Sequence, residues 1–204
     1  DSARPLLADH PGLEITAVAG EYQDGIRALK DQNSGPELIL WLGSSIGNLT
    51  RPEAVHFLSD VKASMSSDDR LLVGIDLRKS ADILEPAYDD AARVTAAFNL
   101  NILSRINDEL AGQFDLDCFN HLAHYDEVEG RVEMYLVSAR DQVVRIEDLG
   151  IDVPFKAGER IHTENSYKYS LDEIDILVER ADLVLENRWF DSQERFSLNL
   201  MRGV

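Results

Sequence analysis

The chain has 204 residues, enough for one substantial domain or for one domain carrying a second inside it. Its 38 acidic against 20 basic residues give a formal charge of −18, which argues against a sequence-independent grip on nucleic-acid phosphates and against an anionic membrane surface. Cys118 is the sole cysteine, which excludes an intrachain disulfide and a thiolate metal cluster and fits a reducing, cytoplasmic setting. Neither a long apolar run nor a signal-peptide pattern is present, so a soluble protein is expected.

Residues 13–19 alternate and are rich in β-formers, which predicts a strand, and 25–30 a short helix. Turn chemistry at 33–36 leads into the apolar run 37–43, read as a strand buried on both faces. Thr50 is placed to cap a helix with Pro52 in its first turn and Val55, Leu58 and Val61 on one face. The run 71–77 follows as another buried strand. Strand, helix and strand on short connections make a βαβ unit, the building block of doubly wound sheets.

Apolar residues at three- and four-residue spacing predict helix from 81 to about 110, with Pro86 marking a break or kink near its start. Residues 119–125, 131–139 and 143–146 read as an antiparallel meander. Ser170 caps a further helix in a capping box with Glu173, and 183–190 and 196–201 form a terminal hairpin. The expected fold class is α/β: a half-sheet at 1–77, an inserted α+β module at about 78–168, and a return to the sheet at 169–204.

In open α/β sheets, ligands lie beyond the C-terminal ends of the strands. Two such ends stand out, the loop 43–48 and Asp76-Leu77. The loop offers small residues, hydroxyls and a carboxamide, although turn-forming Gly and Asn need no ligand. Gly20-Glu21-Tyr22 closes an earlier strand with an acid able to accept from an adenine amino group and a ring able to cover the base; a surface turn would look the same. In the stretch 161–169 an extended backbone points Glu164 and Ser166 to one face, where a carboxylate and a hydroxyl can grip a polar ring or an amine. A solvated loop has similar composition. His162 has no paired ligand spacing nearby, so no metal is expected there.

Four stretches in order carry a more specific resemblance: Leu40-Trp41-Leu42-Gly43-Ser44-Ser45-Ile46-Gly47-Asn48, Glu85-Pro86-Ala87-Tyr88-Asp89-Asp90, Thr95-Ala96-Ala97-Phe98-Asn99 with Asn101, and Gly158-Glu159 through Thr163-Glu164-Asn165-Ser166. With Arg131-Val132-Glu133-Met134 they resemble the histidine Nα-methyltransferases of ergothioneine biosynthesis, from about residue 11 to the C-terminus. The resemblance implies a Rossmann-like methyltransferase domain with an inserted substrate domain, S-adenosylmethionine as cofactor and histidine as the amino-acid substrate, bound between the two domains.

Carried over by motif, Asn48 and Tyr88 would hold the α-amino and carboxylate end. Glu164 and Ser166 would hydrogen-bond the imidazole, and Met134 would wall the ring pocket. Glu21, Tyr22, Gly43 and Ser44 would line the cofactor. The family's glycine-rich cofactor loop, its ribose-binding acid and a further substrate tyrosine would lie upstream of Asp1, and Glu21 stands where the family often has aspartate. A chain beginning at Asp1 would then be part of a longer enzyme. The alternatives are N-methylation of another amino acid, such as a tryptophan derivative, and a truncated chain that binds an amino acid or a partner without catalysis.

Overall fold

The computed structural model describes residues 3–10, 12–20, 22, 24–25 and 35–204. A short helix, α1 (Ala3–Asp9), is followed by the unit β1 (Leu38–Trp41), α2 (Arg51–Ser64) and β2 (Arg70–Asp76), whose strands pair in parallel. α2 begins where expected: Thr50 accepts from the Glu53 amide while the Thr50 amide donates back to the Glu53 carboxylate, a closed capping box with Pro52 in the first turn. β2 pairs on its other side with β9 (Phe196–Gly203), antiparallel, and β9 with β8 (Leu183–Phe190). The sheet order is therefore β1-β2-β9-β8, a Rossmann-like βαβ unit continued by an antiparallel hairpin in a mixed α/β fold.

One face of this sheet is packed. Leu71, Val73, Ile75 and Met201 meet Leu58 and Val61 of α2 and Ile174, Leu177 and Val178 of α5 (Leu171–Arg180), all nearly inaccessible. At about 1.5–3 kcal/mol for each apolar side chain fully withdrawn from water, this layer holds the sheet and both helices together. α5 opens with the expected box, the Ser170 hydroxyl accepting from the Glu173 amide at 3.2 Å. Glu173 also takes Arg78 and Arg51 at 2.6 and 2.9 Å. Burial alone would raise its carboxyl, but the Arg78 hydrogen bond, the Ser170 amide and the Arg51 charge outweigh that and lower it.

Between β2 and α5 lie two helices and two smaller sheets. α3 spans Ala81–Tyr88 and α4 spans Val94–Leu110. β3 (Phe119–Asp126), β4 (Arg131–Ser138) and β7 (Arg160–Tyr167) form an antiparallel sheet in that order. β5 (Gln142–Ile146) and β6 (Ile151–Phe155) form a separate ribbon. His121, Ala123, Val132, Met134 and Leu136 alternate onto the face that α3 and α4 cover.

Several sequence expectations are corrected. Residues 13–19 form no strand, and all seven are exposed; a ladder is needed to stabilise an alternating segment, and none reaches it among the described residues. β1 is not buried on both faces: Ile39 and Trp41 point into the core, whereas Leu38 and Leu40 are more than half exposed because nothing described covers the sheet's other face. The helix expected over 81–110 is two helices. The break falls at 89–93, after Pro86 and not at it, because Arg93 is left-handed and the Asp90 carboxylate accepts from the Val94 and Thr95 amides at 3.0 and 2.8 Å, restarting the helix. The meander is also different: β5 leaves it to pair with β6, and β7 takes the place beside β4. The expected helix at 25–30 and the turn at 33–36 fall mostly outside the described residues. No described helix is long and apolar enough to cross a membrane.

Candidate active site

The two larger sheets meet just beyond the C-terminal ends of β2 and β7. Leu77 bridges Tyr169 in parallel, the Tyr169 amide donates to the Asp76 carbonyl at 3.1 Å, and the Arg78 amide donates to the Tyr169 carbonyl at 3.0 Å. This seam brings together the ends of β1, β2, β7 and α3, the position where an α/β sheet binds ligands.

The first contribution is the loop after β1. Gly43 and Ser44 are both left-handed (φ 74° and 59°), a turn that glycine makes without strain, and a one-turn 3-10 helix, Ser45–Asn48, follows. The Ser44 hydroxyl accepts from the Asp76 amide at 2.9 Å, tying the end of β1 to the end of β2. Gly47 is buried against Tyr167 and Ser166, which leaves Asn48 exposed at the rim.

β7 supplies the second contribution, and its register carries most of the argument. Met134 stands opposite Glu164 and Val132 opposite Ser166, but Tyr135 stands opposite His162, so Thr163 is an extra residue in a β-bulge. The Thr163 hydroxyl fixes the bulge by donating to the Met134 carbonyl at 2.9 Å. The bulge reverses the alternation: His162 lies with Tyr135, ring centroids 5.0 Å apart, and hydrogen-bonds Asn165, while Glu164 shares the helix-covered face with Met134 and Ser166. His162 is thereby turned away from the cleft. Glu164 also borders an open trough of about 460 Å³ along α4, lined by Phe98, Ile102 and Ile106. Burial pushes the Glu164 carboxyl up, and the positive charge of Lys168 partly opposes this.

Tyr88, the last residue of α3, completes the cluster. Its hydroxyl lies 2.9 Å from the Ser166 hydroxyl. Its main-chain carbonyl accepts from His121 Nε2 at 2.7 Å, so His121 Nδ1 is left to accept from the Asn99 amide at 2.9 Å. Asn99 also donates to the Tyr135 carbonyl at 3.2 Å. The end of α3 is thus anchored to β3 and α4 through one neutral imidazole tautomer.

Sequence reasoning missed Lys168. Its ammonium, 1% exposed, donates to the Tyr88 hydroxyl at 2.6 Å and to Ser166 at 2.8 Å, and pairs with Asp76 at 3.1 Å. Asp76 is shared with Lys79. The signal was present: Glu164, Ser166 and Lys168 continue one alternation past the end of β7. Asp76 was noted only as a strand end, and nothing in the sequence flags Asn99 or His121 as partners of Tyr88.

The structure therefore brings Tyr88, Ser166 and Lys168 into direct contact, sets Met134 and Glu164 beside them, and holds Asn48 on the adjoining loop. Gly43 and Ser44 form the turn that leads from β1 to Asn48. Nothing stands within 4 Å of where a Cβ on Gly43 would lie, so the backbone of this turn is open to close approach. The Tyr22 ring packs edge-on against Trp41 and Phe57, at centroid distances of 6.3 and 5.8 Å, next to that loop. Glu21 lies outside the described residues.

Over residues 1–203 the chain matches the family described as histidine-specific methyltransferase, SAM-dependent. It is similar to a histidine N-alpha-methyltransferase of Mycolicibacterium smegmatis, 41% identical over 95% of this chain and 60% of the relative. The corresponding figures for one of Mycobacterium tuberculosis are 38%, 98% and 61%. An L-tryptophan methyltransferase of Psilocybe serbica is 32% identical over 94% of this chain and 55% of its own length. The chain spans somewhat less than two thirds of the length of these relatives. The match runs through every element that builds the cleft, and this chain belongs to the family of histidine-specific, S-adenosylmethionine-dependent methyltransferases.

Proposed function

We propose that the chain carries the substrate-binding part and one edge of the cofactor site of an enzyme that transfers methyl from S-adenosylmethionine to the α-amino nitrogen of histidine. The observation that carries this reading is the register of β7, which puts a half-buried carboxylate, Glu164, and a hydroxyl, Ser166, on one face beside Tyr88. Glu164 and Ser166 hold the imidazole, Met134 walls the ring, and Asn48 with Tyr88 holds the amino-acid end. Gly43, Ser44, Tyr22 and Glu21 are assigned to the cofactor.

Bound S-adenosylmethionine supplies an electrophilic methyl on a sulfonium. The protein's task is then orientation, since an in-line displacement gains most from holding the reacting atoms near attack distance. The neutral carboxamide of Asn48 orients the amine without placing a further positive charge next to the sulfonium. The amine must be unprotonated, and water suffices to take the proton. Residues 78–168 act as a substrate module set into the methyltransferase sheet, which agrees with the separate cores of the two parts. Cys118, a free thiol, fits a reducing cytoplasm.

The Glu164–Ser166 pair favours histidine over tryptophan, because an indole N–H can meet only one of the two and offers no second nitrogen to the other. The test is calorimetric titration of S-adenosylhomocysteine into the protein, with and without histidine, and then methyl-transfer competition between histidine and tryptophan. Cofactor-product binding that tightens with histidine, and preference for histidine in competition, are expected. Preference for tryptophan would overturn the substrate; no binding from folded protein would overturn the reading.

A further inference from the structure

We infer that Lys168 is a positioning residue that fixes the hydrogen-bond direction of the Tyr88–Ser166 pair, so that the cleft presents one hydroxyl hydrogen beside the Glu164 carboxylate and reads a ring with one N–H and one bare nitrogen. The inference rests on the proposed assignment of Glu164 and Ser166 to the substrate ring.

The argument is an accounting of donors. An ammonium has three N–H groups and no lone pair. Lys168 donates to the Tyr88 hydroxyl and to the Ser166 hydroxyl, and its charge pairs with the Asp76 carboxylate at 3.1 Å. Both hydroxyl oxygens therefore accept from Lys168. They also lie 2.9 Å from each other, a gap that holds a single hydrogen. Of the two hydroxyl hydrogens, one occupies that gap and the other has no direction left but outward.

With Lys168 in place the pair thus acts outward as a donor. Ser166 is the member on the Glu164 face, two strand rises or about 6.6 Å along β7. Glu164 can only accept when ionised, and in the proposed arrangement the Tyr88 hydrogen fills the gap and Ser166 donates outward. A neutral imidazole spanned between them has its N–H met by the carboxylate and its bare nitrogen met by the hydroxyl. Without Lys168 the hydroxyls are free to turn either way, and that preference is lost. Asp76 stays paired with Lys79 in either case, so its charge is not stranded.

The test is a double-mutant cycle on the protein saturated with S-adenosylhomocysteine, with histidine titrated by calorimetry. Ser166→Ala and Lys168→Met are each expected to weaken histidine about tenfold, and the double variant little more than either alone, because Ser166 donates to the ring only while Lys168 holds it. In turnover, the KM for histidine should rise with kcat and the KM for S-adenosylmethionine little changed, a split that general loosening of the fold would not give. Lys168→Gln, which keeps N–H donors without the charge, should recover part of the affinity, and it carries the same cycle if the methionine variant does not fold.

Additive losses, about a hundredfold in the double variant, or wild-type histidine affinity in Lys168→Met, would overturn the role of Lys168 while leaving the function standing. Failure of the unaltered protein to bind histidine would overturn the functional reading and this inference together.

Discussion

Gly47 lies so close to Tyr167 that a Cβ on it would meet the Tyr167 carbonyl oxygen at 2.8 Å and the Ser166 hydroxyl at 3.5 Å. This approach seats the Asn48 loop on the strand that carries Glu164 and Ser166, and a backbone oxygen cannot swing aside as a side chain can. Gly47→Ala is therefore expected to cost about 1–3 kcal/mol and to raise the KM for histidine, since the loop and the strand must part. Denaturant unfolding and steady-state kinetics check both. An alanine variant with unchanged stability and KM would mean that the loop does not need this contact.

The His121 ring is a second positioning device. It satisfies the Tyr88 carbonyl with one nitrogen and the Asn99 amide with the other, in a buried setting. His121→Phe fills the same space and strands both partners, so a loss of about 1–3 kcal/mol per unsatisfied group is expected, together with weaker histidine binding through a loosened Tyr88. His121→Gln, able to donate to the carbonyl, should be milder.

Much of this architecture was legible in the sequence, for identifiable reasons. Thr50 and Ser170 each stand three residues before a glutamate, and both boxes close; the apolar runs of β2, β8 and β9 have no competing reading. Local pattern failed where the deciding contact was distant. Residues 13–19 alternate well but find no ladder, and Leu38 and Leu40 look like core until the cover of the sheet's second face is considered. At the site, Glu164 and Ser166 were visible from period-two alternation. The exclusion of His162 was not, because it depends on a single extra residue, Thr163, in the ladder with β4.

Asp90 restarts the helix after the break, and its two amide bonds hold its carboxyl down to about 2, below its ordinary 3.8. A depressed folded value means stability that is present above the unfolded value and is lost as pH falls through the folded one. The contribution of Asp90 should therefore fade between about pH 4 and pH 2. Asp90→Asn is expected to flatten the acid limb of a stability–pH profile in that window, while keeping part of the cap at neutral pH. Parallel acid limbs in the two proteins would remove Asp90 from the account.

Glu173 joins three jobs in one carboxylate: the cap of α5, the partner of Arg78 and the partner of Arg51. Arg78 also donates to the Glu127 carbonyl at 2.9 Å, and Arg51 to the Lys168 carbonyl at 3.1 Å, so the cluster spans the seam between the sheets. Glu173→Ala should cost about 2–4 kcal/mol, more than an ordinary cap. Glu173→Gln, which keeps the cap but not the charge, should fall between. Equal losses in the two variants would show that the arginines contribute little beyond the capping box.

Glu164 sets function against stability. Its carboxyl is raised by burial, with Lys168 only partly compensating. A raised folded value means that the group favours folding below the unfolded value and that this is lost as pH rises through the folded one, so at pH 7 the ionised carboxylate weighs on the ligand-free fold. Glu164→Gln removes that burden without changing volume. The variant is expected to melt at the same temperature as the unaltered protein or higher at pH 7, yet to bind histidine about tenfold to a hundredfold more weakly, because the ring N–H loses its charged acceptor. The same substitution should also remove the part of the acid limb of histidine affinity that belongs to the carboxylate, leaving the limb from the ligand's own imidazole near pH 6.5. Thermal melts with and without histidine read both effects in one experiment. A glutamine variant that melted lower and was still stabilised fully by histidine would make Glu164 a structural residue and move ring recognition elsewhere in the cleft.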